Sequence, residues 1–147
     1  MKKKRRSDCP IAFNLDLVGD KWSLLIIRDM IFGKKQYYSD FLSSDEQIAT
    51  NILADRLAML EREKIIQKSV DPGNKSRFIY TLTQKGSDLF PIMVEMILWS
   101  YKYDKKTTIP ADFINTIIAD KSKFMSSILN KYYNTDNKNK KNIKNSP

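Results

Sequence analysis

The only cysteine is the most reactive side chain in a 147-residue sequence that contains no histidine. Cys9 precedes Pro10, a residue favoured in the first turn of a helix, and it follows a run of five cations at residues 2–6. A helix N-terminus and nearby cations both favour the thiolate form of a cysteine, which is the reactive form. Such a thiol can form an intersubunit disulfide, a mixed disulfide or a sulfenic acid. The alternative is a small hydrophobic side chain packed under the first helix.

The remaining composition argues against an enzyme. The lack of histidine removes the commonest general base, the commonest metal ligand and every histidine-dependent triad. One cysteine excludes an intrachain disulfide framework and a cysteine-based zinc site. The four glycines form no phosphate-binding loop. We therefore expect no catalytic residue, no metal ligand and no cofactor.

The net charge of +9 is concentrated at the ends of the chain. Residues 2–6 carry five positive charges and residues 134–147 a net three, which leaves +1 for the body between them. Terminal charge of this kind suits nucleic acid, acidic lipid or solubility alone. The longest uninterrupted aliphatic run, residues 24–27, is far shorter than the roughly 18 residues that span a bilayer. We expect a soluble, cytoplasmic protein without membrane contact.

Apolar residues at helical spacing predict four helices in the first half of the chain, at residues 10–18, 21–32, 39–43 and 48–63. Gly19 is expected to end the first, and Asp20 to cap the second. The second helix is apolar on most sides, which indicates the centre of the core. A polar turn at residues 44–47 precedes the fourth helix, whose inward residues are Ile48, Ile52 or Leu53, Leu57 and Leu60.

The period then changes to two, which predicts strands at residues 65–70 and 77–82 joined by a turn at 71–76. Thr83 is expected to cap a helix that reaches about residue 103 and kinks near Pro91. A last helix is predicted at residues 111–133, between a disordered basic arm at 1–7 and a disordered polar tail at 134–147.

These elements predict a mostly α, α+β fold within one domain, residues 8–133. Their order favours a winged helix-turn-helix, with the helix-turn-helix at 37–63, the wing at 65–82 and C-terminal helices at 83–133. Many other small α+β domains share this order of elements. The first and last helices are the best candidates for dimerisation. Trp22 and Trp99 are expected in the core or in that interface.

Several motifs follow one another along the chain: Cys9-Pro10, Val18-Gly19-Asp20-Lys21-Trp22 with its aliphatic continuation, Tyr38-Ser39-Asp40-Phe41, residues 48–57, Tyr80-Thr81-Leu82-Thr83-Gln84-Lys85-Gly86, and Trp99. Together they resemble the bacterial HxlR family of winged helix-turn-helix regulators over residues 8–102. The resemblance implies a transcriptional regulator, most simply a repressor, that binds a palindromic site on double-stranded DNA as a homodimer. A winged-helix module that binds protein without specific DNA binding is the alternative.

Three features depart from the family pattern. The loop after Gly33 is one residue longer, with Tyr37 and Tyr38 where one aromatic residue is usual. The pair Glu63-Lys64 replaces the usual acidic residue and glycine before the first wing strand, and the wing lacks a double proline. These departures leave the path of the wing open.

In this architecture the second helix of the motif enters the major groove by its N-terminal end. The candidate DNA-binding residues are Ser39, Ala49, Thr50, Asn51, Ala54, Arg56, Lys75 and Arg77. Asn51 can bond adenine, Thr50 can bond a base edge or a phosphate, and the small Ala54 permits close approach. The alternative for Thr50 and Asn51 is a helix cap. Arg56 could reach phosphate or pair internally with Asp40 or Glu61.

The wing and the basic segments supply further candidate contacts. Lys75 and Arg77 can follow phosphates or enter a minor groove, whereas a solvated hairpin tip is the alternative. Ser39, with Lys34 and Lys35 before it, could contact the DNA backbone.

The HxlR family includes sensors of electrophiles and oxidants that use a cysteine at the Cys-Pro position. The resemblance therefore implies a redox-sensing role for Cys9 and a small electrophile or oxidant as effector. Other members of the family respond to other signals, so this role is not implied for every member.

Overall fold

A computed structural model describes the backbone of residues 4–144 and the side-chain surroundings of residues 4–134. Residues 1–3 of the predicted arm and 145–147 of the predicted tail lie outside the described residues. The elements, in chain order, are α1 (Pro10–Val18), α2 (Ser23–Ile31), α3 (Tyr38–Leu42), α4 (Thr50–Arg62), β1 (Ile66–Asp71), β2 (Asn74–Leu82), α5 (Gln84–Ser87), α6 (Phe90–Tyr103), α7 (Ala111–Ala119) and α8 (Lys121–Lys144). This arrangement confirms the predicted mostly helical α+β fold with a two-stranded wing.

Local capping places the first two helices where the sequence predicts them. The Gly19 N–H donates to the Leu15 carbonyl at 2.9 Å and ends α1. A Cβ at position 19 would lie 2.4 Å from that oxygen, so only glycine fits. The Asp20 carboxylate accepts from the Trp22 and Ser23 N–H groups, each at 2.9 Å, which satisfies donors at the start of α2. α2 then runs through the core, as expected.

The link from α4 to β1 forms without glycine. Lys64 takes the left-handed conformation, with a φ of 59°, which is the geometry that ends many helices. The Ile65 N–H donates to the Leu60 carbonyl at 2.9 Å across this turn. The Glu63 carbonyl accepts from Lys85 Nζ at 2.7 Å, so a side chain from α5 also supports it.

The wing follows the sequence prediction over its regular part. Pairing in one register ends at Val70 with Phe78, which agrees with the predicted turn at 71–76, and one further pair, Asp71 with Asn74, extends the strands beyond a register shift. The Asp71 carboxylate accepts from the Gly73 N–H at 2.9 Å and closes the reversal locally. Pairing includes Ile66 with Leu82, with an irregularity at the turn end of β1.

The single kinked helix predicted at residues 83–103 is two helices. Thr83 caps α5 as expected, since its hydroxyl accepts from the Gly86 N–H at 3.1 Å. The chain leaves the helix at Asp88 and Leu89, and α6 begins at Phe90 with Pro91 in its first turn. A proline lacks the N–H that a continuous helix would need there, whereas the first turn of a new helix does not need it.

The helix predicted at residues 111–133 is also divided. Asp120 is extended, with φ −159° and ψ 95°, and its carboxylate accepts from the Lys123 N–H at 3.0 Å, so it caps α8 and separates it from α7. α8 continues to Lys144, which contradicts the disorder predicted from residue 134. That stretch contains several lysines, which are good helix formers, and no proline or glycine interrupts it before Pro147.

The last two helices use their apolar sides inside the domain. Ile114, Ile117 and Phe124 are buried. The buried Tyr132 hydroxyl accepts from the Leu82 N–H at 2.8 Å and ties α8 to the wing. These apolar side chains therefore pack inside the chain, so a dimer formed through the last helices would have to use another part of their surface. No helix among residues 4–144 is long and apolar enough to cross a lipid bilayer.

Candidate nucleic-acid interface

α3, the turn after it and α4 form the predicted helix-turn-helix. The inner side of α4 is anchored by Leu53, Leu57 and Leu60, all buried. Leu53 rather than Ile52 faces the core, because Ile52 is 37% exposed while Leu53 is fully buried. The opposite side of α4 is consequently presented to solvent.

The N-terminal end of α4 carries unpartnered polar side chains. Ala49, which precedes the helix, is extended, and its methyl group cannot cap the helix. Thr50 and Asn51 are exposed, and neither side chain makes a hydrogen bond to any of the described residues. The alternative that they cap the helix is therefore not what this geometry shows. The N–H of Leu53 donates to the Ala49 carbonyl at 2.9 Å, so the N–H groups before it point out of the helix end.

Neighbouring residues fix the position of this helix end. The Tyr38 hydroxyl donates to the Thr50 carbonyl at 2.7 Å and joins the start of α3 to the start of α4. Ser39 is exposed in the first turn of α3, next to that contact. Ala54, one turn into α4, is exposed and small enough for a close approach, but the exposed Asp55 beside it adds negative charge to the same helix.

Arg56 is engaged inside the protein. Its guanidinium pairs with the Asp55 carboxylate and lies 3.4 Å from Asp20 Oδ2, in the cap of α2. The hydrogen bond to Asp55, together with the charge of Asp20, raises the pKa of Arg56. The predicted internal partners, Asp40 and Glu61, are wrong, since the Asp40 carboxylate instead accepts from backbone N–H groups ahead of α3.

The two wing cations predicted to contact DNA, Lys75 and Arg77, differ in their surroundings. Arg77 donates from Nε and Nη2 to Asp71 Oδ2 at 2.9 and 2.7 Å, and its guanidinium lies 3.7 Å from the centre of the Tyr37 ring. The Arg77 guanidinium and the Gly73 N–H lower the pKa of Asp71, so both partners stay charged. Lys75 is exposed at the turn, and its ammonium has no ionic partner among the described residues. Of these two residues, Lys75 is thus the one whose charge has no carboxylate partner among the described residues.

The wing is also held beside the helix-turn-helix. The Tyr80 N–H donates to the Gln36 carbonyl at 2.8 Å, which pairs the middle of β2 with the loop before α3. The Tyr37 ring under Arg77 reinforces the same junction. The two adjacent tyrosines that depart from the family pattern therefore make different contacts. Tyr37 packs against Arg77 of the wing, and Tyr38 donates a hydrogen bond to the start of α4.

A polar network joins the turn between α3 and α4 to the core helix α2. Arg28 donates to both Glu46 carboxylate oxygens, at 2.6 and 2.9 Å. Asp29, which is buried, accepts from Arg28 at 2.8 Å, from Lys35 Nζ at 3.2 Å and from the Ser44 hydroxyl. The hydrogen bonds from Arg28 lower the pKa of Glu46 to about 2. Sequence reasoning missed this network, although two charged residues in a mostly apolar helix were a signal.

Cys9 is exposed and occupies the N-cap of α1. Its N–H donates to the Ser7 hydroxyl at 3.3 Å, and its carbonyl accepts from the Phe13 N–H at 3.1 Å. The alternative of a packed hydrophobic side chain therefore does not hold in the single chain. Two of the preceding cations are turned to carboxylates: Arg5 Nε lies 3.9 Å from Asp8 and Arg6 Nη2 lies 2.5 Å from Asp16.

Comparison with known proteins identifies the same architecture. The family described as HxlR-like helix-turn-helix matches residues 17–108. The HTH-type transcriptional regulator YodB of Bacillus subtilis is 33% identical over 96 residues, which cover 65% of this chain and 85% of YodB. The structure of reduced YodB has a TM-score of 0.54 at 28% identity and covers 69% of this chain and 99% of YodB.

A redox regulator, HypR, is similar in its oxidised form, with a TM-score of 0.58 at 27% identity over 66% of this chain and 99% of HypR. YodB has also been solved in a quinone-bound form. These relatives are transcriptional regulators rather than enzymes. The match over residues 17–108 and the agreement in fold show that this chain belongs to the HxlR-like helix-turn-helix family.

Proposed function

We propose that the protein represses transcription by binding a palindromic DNA site as a homodimer. The observation that carries this proposal is the exposed, unpartnered pair Thr50 and Asn51 at the N-terminal end of α4. The side-chain amide of Asn51 can pair with adenine in the major groove, and the outward N–H groups of the helix end favour a phosphate. A DNA-bound regulator of a bacterial gene works in the cytoplasm, which is the location we propose.

The other candidate residues divide by their contacts in the free protein. Lys75 has an uncompensated charge, so it is the strongest candidate for a phosphate contact from the wing. Ser39, Ala49 and Ala54 border the helix end and would shape the approach of the DNA. Arg77 keeps one face on Tyr37 and would reach DNA only with its remaining donors.

Arg56 would act indirectly. Its ion pair with Asp20 joins α4 to the cap of α2. We propose that it positions the helix rather than contacting phosphate.

Dimerisation is proposed through α6 rather than α8. Ile92, Met96, Trp99 and Tyr103 are 42%, 51%, 66% and 61% exposed, and their spacing of 4, 3 and 4 residues puts them along one side of the helix. An apolar stripe with that spacing is the pattern by which two helices pack together. The exposed apolar residues of α1, Ile11 and Leu15 among them, add to the candidate interface.

A binding assay with matched variants tests the DNA contact. Fluorescence anisotropy would use a palindromic duplex from the region upstream of the gene, at several salt concentrations, with wild type, Asn51→Ala and Asn115→Ala. Loss of a bidentate contact to a base costs about 1–3 kcal/mol, so Asn51→Ala should weaken binding about 5- to 150-fold. Asn115 is exposed on α7, away from the helix-turn-helix, and its variant should bind as wild type does.

Two results would count against DNA recognition by α4. Equal affinity of wild type and Asn51→Ala would remove the role of that side chain. A folded dimer that shows no salt-dependent binding to any upstream fragment would instead favour a protein-interaction module.

We also propose that Cys9 senses electrophiles or oxidants. Its exposed position at the start of α1 gives reagents access, and the similar regulators YodB and HypR are known in quinone-bound and oxidised forms. With a quinone, the thiolate sulfur would add to a ring carbon while a proton moves to the ring oxygen, which yields a hydroquinone thioether. With diamide, two Cys9 thiols of a dimer would form a disulfide while the diazene is reduced to a hydrazine.

The presence of one cysteine makes this proposal simple to test, because any thiol chemistry reports on Cys9. Wild type should lose operator binding after quinone or diamide treatment, and Cys9→Ala should keep it. If both proteins release DNA to the same extent, Cys9 is not the sensor.

A further inference from the structure

A cavity of about 490 Å³ lies between α2, α6 and the segment that leads into α7. Pockets for small molecules are typically 300–1,000 Å³ and mostly apolar. Its apolar lining comes mainly from Leu24, Leu25, Phe32, Met93, Ile97 and Phe113. The cavity therefore has the size and the surface of a small-molecule site, and neither the proposed DNA contacts nor Cys9 uses it.

The charged residues at the cavity are balanced against each other. Arg28 and Asp29 are the charged members of the lining, and both belong to the network that includes Lys35 and Glu46. Two cations and two carboxylates leave no net charge to attract an ion, and an ionic ligand would have to displace an existing partner. Thr108 is the uncharged polar side chain in the lining and could accept or donate one hydrogen bond.

The wall formed by residues 109–113 comes after the matched family region, which ends at residue 108. Phe113 packs edge-on against Phe32 of α2, with ring centres 6.3 Å apart, and so holds this wall against the core. The cavity thus depends in part on a segment outside the family match.

We propose that this cavity binds a compact, uncharged hydrophobic molecule and that its occupancy is transmitted to the turn of the helix-turn-helix. The route is short, since Arg28 and Asp29 line the cavity and also hold Glu46 and Ser44 of that turn. A molecule that displaces the Arg28 side chain alters the contacts that position the start of α4. The further consequence for DNA affinity rests on the proposed function; the binding and the effect on the turn do not.

The binding test uses the full chain without DNA and a neutral fluorescent probe, N-phenyl-1-naphthylamine, whose emission increases in apolar surroundings. Wild type should show saturable binding of one probe per chain. Ile97→Trp places a larger ring at the cavity, from a half-buried position off the exposed stripe, and should weaken binding at least 10-fold. Leu25→Phe places a larger ring in the opposite wall of the cavity, on α2, and replaces the first variant in the assay if that variant is unstable. Ile118→Trp is the control, because Ile118 is exposed on α7, lies outside the α6 stripe and does not line the cavity.

Two results would overturn the binding site. One is the absence of saturable binding to wild type, as expected if a second copy of the chain covers the cavity in the dimer. The other is undiminished binding by both cavity variants, which would place the probe on the exposed stripe of α6.

The effect on the turn is measured by hydrogen exchange, again without DNA. Probe binding should change the exchange rates of amides at residues 44–49, while those of the wing amides at residues 73–76 should not change. Unaltered exchange at residues 44–49 with the cavity saturated would refute the transmission. A failure of the chain to bind DNA would leave both of these readouts intact, so it is distinguishable from a failure of this inference.

Discussion

Removal of the Trp99 side chain should dissociate the dimer with little effect on the fold of each chain. Trp99 is 66% exposed and has Tyr103 beside it, with ring centres 5.1 Å apart, so in the single chain it makes few of the contacts that a core tryptophan makes. Among the residues of α6 proposed to form the interface, Trp99 has the largest exposed fraction. The Trp99→Ala substitution therefore separates association from folding.

The magnitude follows from the area involved. A tryptophan presents about 150–250 Å², and with 66% of Trp99 exposed, about 100–165 Å² is available for association. If half of that becomes buried, a hydrophobic contribution of about 25 cal/mol per Å² gives about 1.3–2 kcal/mol for each chain. Because a two-fold interface contains the residue twice, the dimer loses about 2.5–4 kcal/mol. The dissociation constant should increase about 100-fold or more.

Sedimentation equilibrium over a range of protein concentrations measures that constant directly. Ile118→Ala is the matched control, since Ile118 is also 66% exposed but lies on α7, outside the stripe. Circular dichroism should show the same helical content for all three proteins, and the Tm of Trp99→Ala should fall only at concentrations where the wild type is a dimer. A Trp99→Ala dimer as tight as wild type would refute the interface, and so would equal weakening by Ile118→Ala, because the effect would then not depend on the stripe.

Four further predictions concern the fold, the network and the wing. Tyr132→Phe leaves the buried Leu82 N–H without its acceptor and should lower the free energy of unfolding by about 1–3 kcal/mol in urea titrations. Glu46 has a folded pKa of about 2, below its ordinary value of 4.5, so its ionic contribution is present above about pH 4.5 and lost as the pH falls towards 2. The stability difference between wild type and Glu46→Gln should therefore shrink over that range, and a constant difference would contradict the assignment. Lys75→Ala should reduce the slope of log K against log[salt] by about 1 if Lys75 neutralises one phosphate. Lys64→Gly should raise the Tm, because the positive φ of 59° at Lys64 costs a side-chain-bearing residue more than it costs glycine.

The elements that the sequence predicts well are those with local causes. Asp20 and Thr83 accept from N–H groups two or three positions later, and Gly19 ends α1 within one turn, so neighbouring residues alone determine these boundaries. The order of helices and strands, and with it the winged helix-turn-helix, follows from such signals combined with apolar periodicity. The exposed position of Thr50 and Asn51 follows as well, because the inward residues of α4 define its outer side.

The predictions that failed depend on competition between local signals or on distant partners. Pro91 lies in the first turn of a new helix and Asp120 caps another, where apolar periodicity alone predicted continuous helices. Periodicity reflects the spacing of apolar residues and not the cost of a missing or redirected backbone hydrogen bond. The Arg28–Glu46 contact joins residues 18 positions apart. No local pattern distinguishes that pair from other combinations of opposite charges.

The proposed DNA interface contains residues with partners inside the protein and residues without them. Arg56 is bound to carboxylates in the free protein, so its replacement should weaken binding to every DNA sequence alike, through a displaced α4, and should lower the Tm as well. Asn51 has no partner among the described residues, so its replacement should leave the Tm unchanged and reduce the preference for the operator over random DNA. A side chain that already has its partners can position the recognition helix, but one that lacks them is free to read a base. Measured together, Tm and the ratio of specific to non-specific affinity therefore assign each residue of this surface to holding α4 or to recognising DNA.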